Sequence, residues 1–138
     1  MNATVEQPEF EVIVVGASAG GVSALQQLLA ALPADLPMPV LVVLHLPRDR
    51  PSRIADLLGL RCPLAVREAE DKQPLAPGTV TFAPPDYHLL VDRGGALSLS
   101  VDPPVVWSRP AVDVLFESAA DAFGADLTAI VLLSLIHI

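Results

Sequence analysis

Basic residues are scarce in this chain. It has 8 Lys and Arg against 16 Asp and Glu, which gives a formal net charge of -8. The basic residues are also scattered, whereas proteins that recognise phosphate backbones carry clustered Lys and Arg. The composition therefore argues against nucleic acid as a partner.

Cysteine and long apolar runs are scarce as well. The only cysteine, Cys62, has no second cysteine to form an internal disulfide with, which fits a reducing compartment. We expect Cys62 to be a half-buried small hydrophobic residue without a catalytic role. The apolar runs near residues 40–44 and 129–133 are far shorter than the ~20 residues of a spanning helix. The first ten residues lack the basic and apolar regions of a secretory signal, so we expect a cytoplasmic protein without membrane insertion.

Apolar residues, by contrast, are abundant. They make up 52% of the 138 residues, which is enough for one domain with one core. Residues 11–15 and 39–44 are continuous apolar runs, typical of parallel strands covered on both faces. Between them, residues 21–32 have helical spacing and end at Pro33. This order predicts a βαβ unit.

Further short elements follow. Residues 51–58 predict a short helix that Gly59 closes. Four strand-like runs come next, and the Arg93-Gly94-Gly95 turn between the last two predicts a β-hairpin; the runs are residues 64–67, 79–82, 88–92 and 96–101. A further helix with an apolar stripe then ends at Gly124, and a buried strand follows over residues 127–133. The stripe of this helix consists of Val112, Leu115, Phe116, Ala119, Ala120 and Phe123. We predict an α/β fold, doubly wound, with a mainly parallel sheet and a β-hairpin insertion.

A serine lies in the turn after the first strand. The segment Gly16-Ala17-Ser18-Ala19-Gly20 fits the G-x-S-x-G form, in which a sharp turn raises a nucleophilic hydroxyl above the sheet. The helix that follows offers free amides to a developing oxyanion. Alternatively, residues 16–21 form a nucleotide-binding or anion-binding turn, or the turn of a catalytically inactive interaction module, although the glycine spacing of dinucleotide folds and the lysine of a P-loop are both absent. The local pattern leaves both interpretations open.

A histidine at the end of the second strand favours the nucleophile. His45 follows the apolar run of residues 39–44, and the carboxyl ends of parallel strands share one edge of a doubly wound sheet. A serine hydroxyl needs a base within hydrogen-bond reach, because its own pKa is too high for attack at neutral pH. We therefore predict that Ser18 and His45 meet at this edge as nucleophile and general base.

Four segments in this order resemble the catalytic domain of the chemotaxis protein-glutamate methylesterase (CheB) family. They are VIVVGASAGGVSAL, VLHLP, VREAEDKQPLAPGTVTFAPPDYHLLV and RPAVDVLFESAADAFG, and they span about residues 10–131. The resemblance implies a doubly wound α/β domain that hydrolyses glutamyl methyl esters, and deamidates glutamines, on the cytoplasmic part of methylated chemoreceptors. It implies no cofactor and no metal. It assigns the nucleophile to Ser18, the base to His45 and an oxyanion amide to Ala19, with Gly20 in the same turn.

The chain departs from this family at its carboxyl end. The family's third catalytic residue is an aspartate in Thr-Gly-Met-Gly-x-Asp-Gly, where this chain instead has LLSLIHI, and we do not expect Asp86, Asp113 or Asp126 to replace it. We therefore expect a truncated, incomplete catalytic domain over residues 11–131, a non-native tail over residues 132–138, and weak or absent esterase activity. We expect residues 1–10 to be an N-terminal extension, which is too short to be the receiver domain that such enzymes often carry.

The remaining candidates have weaker signals. Arg109 either lines the substrate cleft or caps a neighbouring carbonyl. His88 is predicted to pack or to stabilise a turn, Trp107 to anchor the core or its edge, and His137 to have no role. An acidic patch without the spacing of a metal site is predicted to face solvent; it consists of Glu68, Glu70 and Asp71.

Overall fold

The fold is built on a parallel sheet. The computed structural model describes residues 11–45, 54–105 and 109–132, except for the side chains of Ala19 and Ile54. Five strands form this sheet in the order β3-β4-β2-β1-β7; they are β1 (Val12–Ser18), β2 (Val40–His45), β3 (Ala65–Glu68), β4 (Thr79–Phe82) and β7 (Leu127–Leu132). Two more strands form an antiparallel hairpin; they are β5 (His88–Val91) and β6 (Leu97–Ser100). The helices are α1 (Val22–Ala30), α2 (Ile54–Gly59) and α3 (Val112–Phe123).

Helices cover both faces of the sheet. Successive residues of a strand point to opposite faces, so β1 and β2 contribute side chains to two separate clusters. One cluster packs against α3 and the hairpin and includes Val12, Val14, Leu41 and Val43. The other packs against α1 and α2 and includes Val15, Ala17, Val40 and Val42. This arrangement confirms the doubly wound α/β fold with its hairpin insertion, and Cys62 packs half-buried against the second cluster as expected.

The first strand is longer than predicted. The apolar run suggested an end at residue 15, but β1 continues through Gly16 and Ala17 to Ser18. Gly16 and Ala17 stay extended because they pair with β2 on one side and β7 on the other, and Ser18 pairs with His45 of β2. A single 3₁₀ turn, Ala19–Gly21, then leads into α1. Ser18 is therefore the last residue of a strand, directly before the turn.

Two predictions of burial were wrong. The strand at residues 127–133 was expected to be buried, but β7 is the outermost strand on its side of the described sheet, and all six of its residues are exposed or only partly buried. In α3, Ala120 faces solvent, whereas Ala122 is buried together with Leu115, Ala119 and Phe123. Both errors have the same physical origin, because apolar character shows that a residue tolerates burial and not that a neighbour covers it.

Several predicted features fall outside the described residues. They are the extension over residues 1–10, the start of the helix at Pro51, the side chain of Trp107, and the tail with His137. Within the described part of the chain, no helix combines the length and the apolar character that crossing a membrane requires.

Candidate active site

Ser18 and His45 lie side by side at the carboxyl edge of the sheet. The two strands β1 and β2 are parallel, and the register pairs Ser18 with His45 as the last residue of each strand. Neighbouring strands are about 4.8 Å apart, so the two side chains start from adjacent backbone positions. The predicted meeting of these residues at one edge is what the register produces.

The two side chains also project from the same face of the sheet. In β1, Val12 and Val14 face α3, and the alternation places Ser18 on that face as well. In β2, Leu41 and Val43 face α3, which places His45 there too. Both side chains are partly buried. The Ser18 hydroxyl and the His45 imidazole therefore lie on neighbouring strands, at the same edge and on the same face of the sheet.

The turn after Ser18 presents backbone amides. Ala19 and Gly20 begin the 3₁₀ turn that leads into α1, and the first amides of a helical segment have no acceptor within that segment. Gly21 is required for close approach, because a Cβ at this position would lie 2.5 Å from the carbonyl oxygen of Leu132 in β7. The turn is therefore packed directly against the end of β7.

The N-terminus of α3 lies over the other side of the site. A Cβ on Gly16 would come within 2.5 Å of Cγ1 of Val112, the first residue of α3, so only glycine leaves room for this helix. The backbone N–H of Val112 donates to Nε2 of His45 over 3.4 Å, a long and therefore weak hydrogen bond. α3 thus touches both the strand that carries Ser18 and the imidazole.

Burial and charge act on His45 in opposite directions. Partial burial lowers the pKa of the imidazole below its usual value, because the charged form loses solvation, and the negative charge of Asp113 partly offsets this by raising the pKa. The net shift is downward, so the neutral ring is favoured at neutral pH. Nothing in the sequence indicated that Asp113 acts on this histidine, because an acidic residue in a first helical turn is ordinary.

Arg109 is engaged by groups outside the Ser18 and His45 pair. Its Nε and Nη2 lie 3.0 and 2.9 Å from Oδ1 of Asp86, and its Nη1 donates to the carbonyl oxygens of Val101 and Asp102. Of the two roles predicted for Arg109, the structure shows the capping of carbonyls. The role in a substrate cleft stays a prediction.

His88 is a buried structural histidine, as predicted. Its side chain is 1% exposed, and both ring nitrogens have partners: Nε2 lies 3.1 Å from the carbonyl oxygen of Pro103, and Nδ1 accepts the N–H of Ala111 at 3.2 Å. Ala111 directly precedes α3. His88 therefore ties the start of the hairpin to the start of α3.

The acidic patch is only partly exposed. Glu70 and Asp71 face solvent as expected, but Glu68 is half-buried, and its Oε2 is shielded without a hydrogen-bond partner in the described part of the chain. Residues 11–45, 54–105 and 109–132 contain no group of three or more acidic, histidine or cysteine side chains that could hold a metal ion.

Comparison with protein families matches residues 13–134 to the family described as CheB methylesterase. Two relatives are named protein-glutamate methylesterase/protein-glutamine glutaminase: one from Symbiobacterium thermophilum, 42% identical over 120 residues, and one from Syntrophus aciditrophicus, 40% identical over 125 residues. These matches cover 87% and 88% of this chain, but only 33% and 36% of the relatives. A Leptospira interrogans relative is 36% identical over 123 residues, which are 89% of this chain and 64% of that protein. The chain therefore spans between about a third and two thirds of these relatives.

The fold matches a solved structure as well. The crystal structure of the Thermotoga maritima CheB methylesterase catalytic domain superimposes with a TM-score of 0.84 at 31% sequence identity. The match covers 90% of this chain and 67% of that one. Sequence and fold thus point to the same group of proteins.

Proposed function

The chain belongs to the CheB methylesterase family, and we propose that it is a serine hydrolase for glutamyl methyl esters with Ser18 as nucleophile and His45 as general base. The observation that carries this proposal is the pairing of the two residues, in register and on the same face, at the carboxyl edge of the sheet. The names of the relatives support protein glutamyl methyl esters and protein glutamine side chains as substrates.

The first half of the reaction forms an acyl-enzyme. Oγ of Ser18 attacks the ester carbonyl carbon and its proton passes to His45, while the carbonyl electrons move to the oxygen. The amides of Ala19 and Gly20, at the start of the 3₁₀ turn, stabilise this oxyanion. When the intermediate collapses, the methoxy group leaves with the proton from His45 as methanol. With a glutamine side chain, ammonia leaves instead.

The second half hydrolyses the acyl-enzyme. A water molecule gives a proton to His45 and attacks the acyl carbon, and collapse of the second intermediate returns that proton to Oγ of Ser18. The products are a glutamate carboxyl group and the free enzyme. The lowered pKa of His45 suits this role, because the ring must be neutral to accept each proton.

In this scheme, two hydrogen-bond donors compete for the lone pair on Nε2 of His45. The Val112 amide donates to it over 3.4 Å, and the Ser18 hydroxyl must reach the same lone pair. A neutral imidazole has one acceptor nitrogen, so the hydroxyl has to displace or share with the amide. Because the amide contact is long and weak, its replacement by the hydroxyl costs little free energy.

Turnover is expected to be slow. In Ser-His-Asp enzymes an orienting carboxylate bonded to the imidazole contributes roughly 10⁴-fold in rate. Among the hydrogen bonds of the described residues, none joins a carboxylate to His45, and Asp113 acts on it through charge alone. We therefore choose a test that needs one covalent event per molecule instead of rapid turnover.

A fluorophosphonate probe provides this test. The chain is incubated for hours and digested, and the modified peptide is identified by mass spectrometry. We expect the label on the peptide that contains Ser18, its loss in Ser18→Ala, and its retention in Ser23→Ala, which removes an exposed serine from α1. Label that persists in Ser18→Ala would contradict the proposal. Saturable nucleotide binding without any labelling would instead support an anion-binding turn at residues 16–21.

The partner is tested separately. We propose that the substrate is the methylated cytoplasmic part of a chemoreceptor, because methyl esters of protein glutamates are the chemistry in the relatives' names. Methanol release from a carboxymethylated receptor fragment is expected with the parent chain and not with Ser18→Ala. Because acylation of Ser18 alone releases one methanol per chain, slow turnover does not prevent detection, and labelling of Ser18 without this methanol would retain the hydrolase and contradict this substrate.

A further inference from the structure

The start of α3 has no cap of its own. Its N-cap residue is Ala111, and no side-chain cap hydrogen bond is formed there, since alanine offers no acceptor for the first free amides. Instead, the N–H of Ala111 donates to Nδ1 of His88 and the N–H of Val112 donates to Nε2 of His45. Two consecutive backbone amides thus end on two imidazoles from different parts of the fold.

The state of the His88 ring is determined by its partners. A carbonyl oxygen only accepts hydrogen bonds, so Nε2, which faces the carbonyl of Pro103 at 3.1 Å, must carry the proton. Nδ1 is then the acceptor for the N–H of Ala111 at 3.2 Å. With the side chain 1% exposed, water has little access to replace either bond.

The segment before α3 is held on further sides. Arg109 bonds to Asp86 and to the carbonyls of Val101 and Asp102. The side chain of Val112 packs against Gly16 of β1. Held at these points, the Val112 amide stays directed at the ring of His45, and its 3.4 Å bond there is weak enough for the Ser18 hydroxyl to displace.

We propose that His88 is a positioning residue for His45: by holding the Ala111 amide it aims the Val112 amide at Nε2 of His45, and so selects the tautomer that carries its proton on Nδ1. An unrestrained histidine favours the proton on Nε2, which leaves no lone pair there for a serine hydroxyl. Selection of the productive tautomer is the task of the orienting aspartate in a Ser-His-Asp triad. The link between this role and catalysis rests on the function proposed above, whereas the contacts between the two histidines and the start of α3 do not depend on it.

The charge on Asp113 acts on a different property of the same ring. Asp113, in the first turn of α3, is the charged group that influences the protonation of His45. His88 is proposed to decide which nitrogen of the neutral ring carries the single proton. The two effects are separated by working well above the titration range of His45, where only the tautomer varies.

Nitrogen NMR of histidine-labelled protein at about pH 8 measures the tautomer directly. The parent chain is expected to hold His45 mainly with the proton on Nδ1. In His88→Leu the Ala111 amide loses its acceptor, and we expect the ratio of the two tautomers to fall roughly two- to tenfold, the equivalent of one modest hydrogen bond. His88→Asn places a carbonyl oxygen near the position of Nδ1 and is expected to restore the ratio.

Ser118→Ala is the matched control. Ser118, further along α3, accepts the N–H of Val91 in β5 at 3.0 Å, so its loss removes a bond between the same two elements without touching the start of the helix. We expect no change in the His45 tautomer. An unchanged ratio in folded His88→Leu, an equal change in Ser118→Ala, or a parent chain with the proton on Nε2 would each overturn the proposal.

Two further comparisons keep the outcome decisive. If His88→Leu does not fold, His88→Asn is compared with His88→Gln, because the longer glutamine moves its carbonyl away from Ala111. Equal ratios of the two His45 tautomers in these variants would overturn the proposal. The NMR measurement does not involve Ser18 chemistry. Absence of fluorophosphonate labelling with the tautomer effect intact would therefore refute the hydrolase function and leave the positioning of His45 in place.

Discussion

The strands β2 and β7 pair with β1 from opposite sides, in the same parallel manner but in different surroundings. Gly16 of β1 lies opposite Val43 in β2 and opposite Val131 in β7. Val43 is 0% exposed, whereas Val131 is 52% exposed. β2 has β4 on its far side and helices over both faces, while β7 has no further strand beyond it among the described residues.

This difference gives Ser18 two unlike flanks. The β2 flank, which consists of β2 and the start of α3, supplies an imidazole and a backbone amide that contact each other, next to a buried hydrogen bond between Ala111 and His88. The β7 flank, which consists of β7, supplies a backbone carbonyl against Gly21 and an exposed surface. The chemistry proposed for Ser18 therefore depends on the β2 flank, and substitutions there should matter far more.

The largest effect is expected for His45→Gln at the tip of β2. Glutamine keeps polarity but cannot take the proton from Ser18, and loss of a general base costs 10²–10⁴-fold. Because catalytic groups act together and no carboxylate bonds to this imidazole in the described structure, we expect the low end, about 10²-fold. The rate of fluorophosphonate labelling measures it.

Val131→Ala on the β7 flank is the control for this rate. Surface substitutions usually change free energies by about 0.5 kcal/mol or less, so its labelling rate should stay within about twofold of the parent rate. Equal labelling of His45→Gln and the parent chain would remove His45 from the mechanism.

A matched pair of valines measures the difference in burial directly. Val43→Ala and Val131→Ala remove the same groups from positions opposite the same glycine. We expect Val43→Ala to lower the free energy of unfolding by about 2 kcal/mol, from lost transfer energy and the cavity left behind. Val131→Ala should cost less than about 0.5 kcal/mol. Urea unfolding measures both values, and equal losses would mean that β7 is covered in solution.

The sequence was sufficient for the elements and for the edge at which the site lies. Apolar runs of strand length, separated by a helical period, predicted β1, α1 and β2, and the carboxyl-edge rule brought Ser18 and His45 to one edge. It did not predict that they are paired in register and face the same side. That outcome depends on the offset between two strands, and local composition carries no signal for it.

The surroundings of the site were the less predictable part. Val112 and Asp113 lie 67 and 68 positions beyond His45 along the chain, and nothing at an ordinary helix start indicates that one amide and one carboxylate act on a distant imidazole. The exposure of β7 was missed for a related reason, because its apolar composition equals that of a covered strand. Long-range docking decides both features, and a pattern within one segment reports only on that segment.

The smallest expected effect concerns the pH dependence of Ser18 labelling. It is tested by removing the carboxylate of Asp113 and, as a control, a carboxylate next to β7. Asp113 raises the pKa of the imidazole against the larger lowering by burial, so Asp113→Asn should lower it further and move the acid limb of Ser18 labelling to lower pH. Asp126→Asn, an exposed carboxylate directly before β7, should leave that limb in place. Equal acid limbs in both variants would show that the charge of Asp113 does not reach the imidazole.

The lowered pKa of His45 also affects stability. Because the folded pKa lies below the usual value of about 6.5, the unfolded chain takes up the proton first as pH falls. Stability therefore falls as pH drops below about 6.5, and it falls over a wider pH range in Asp113→Asn.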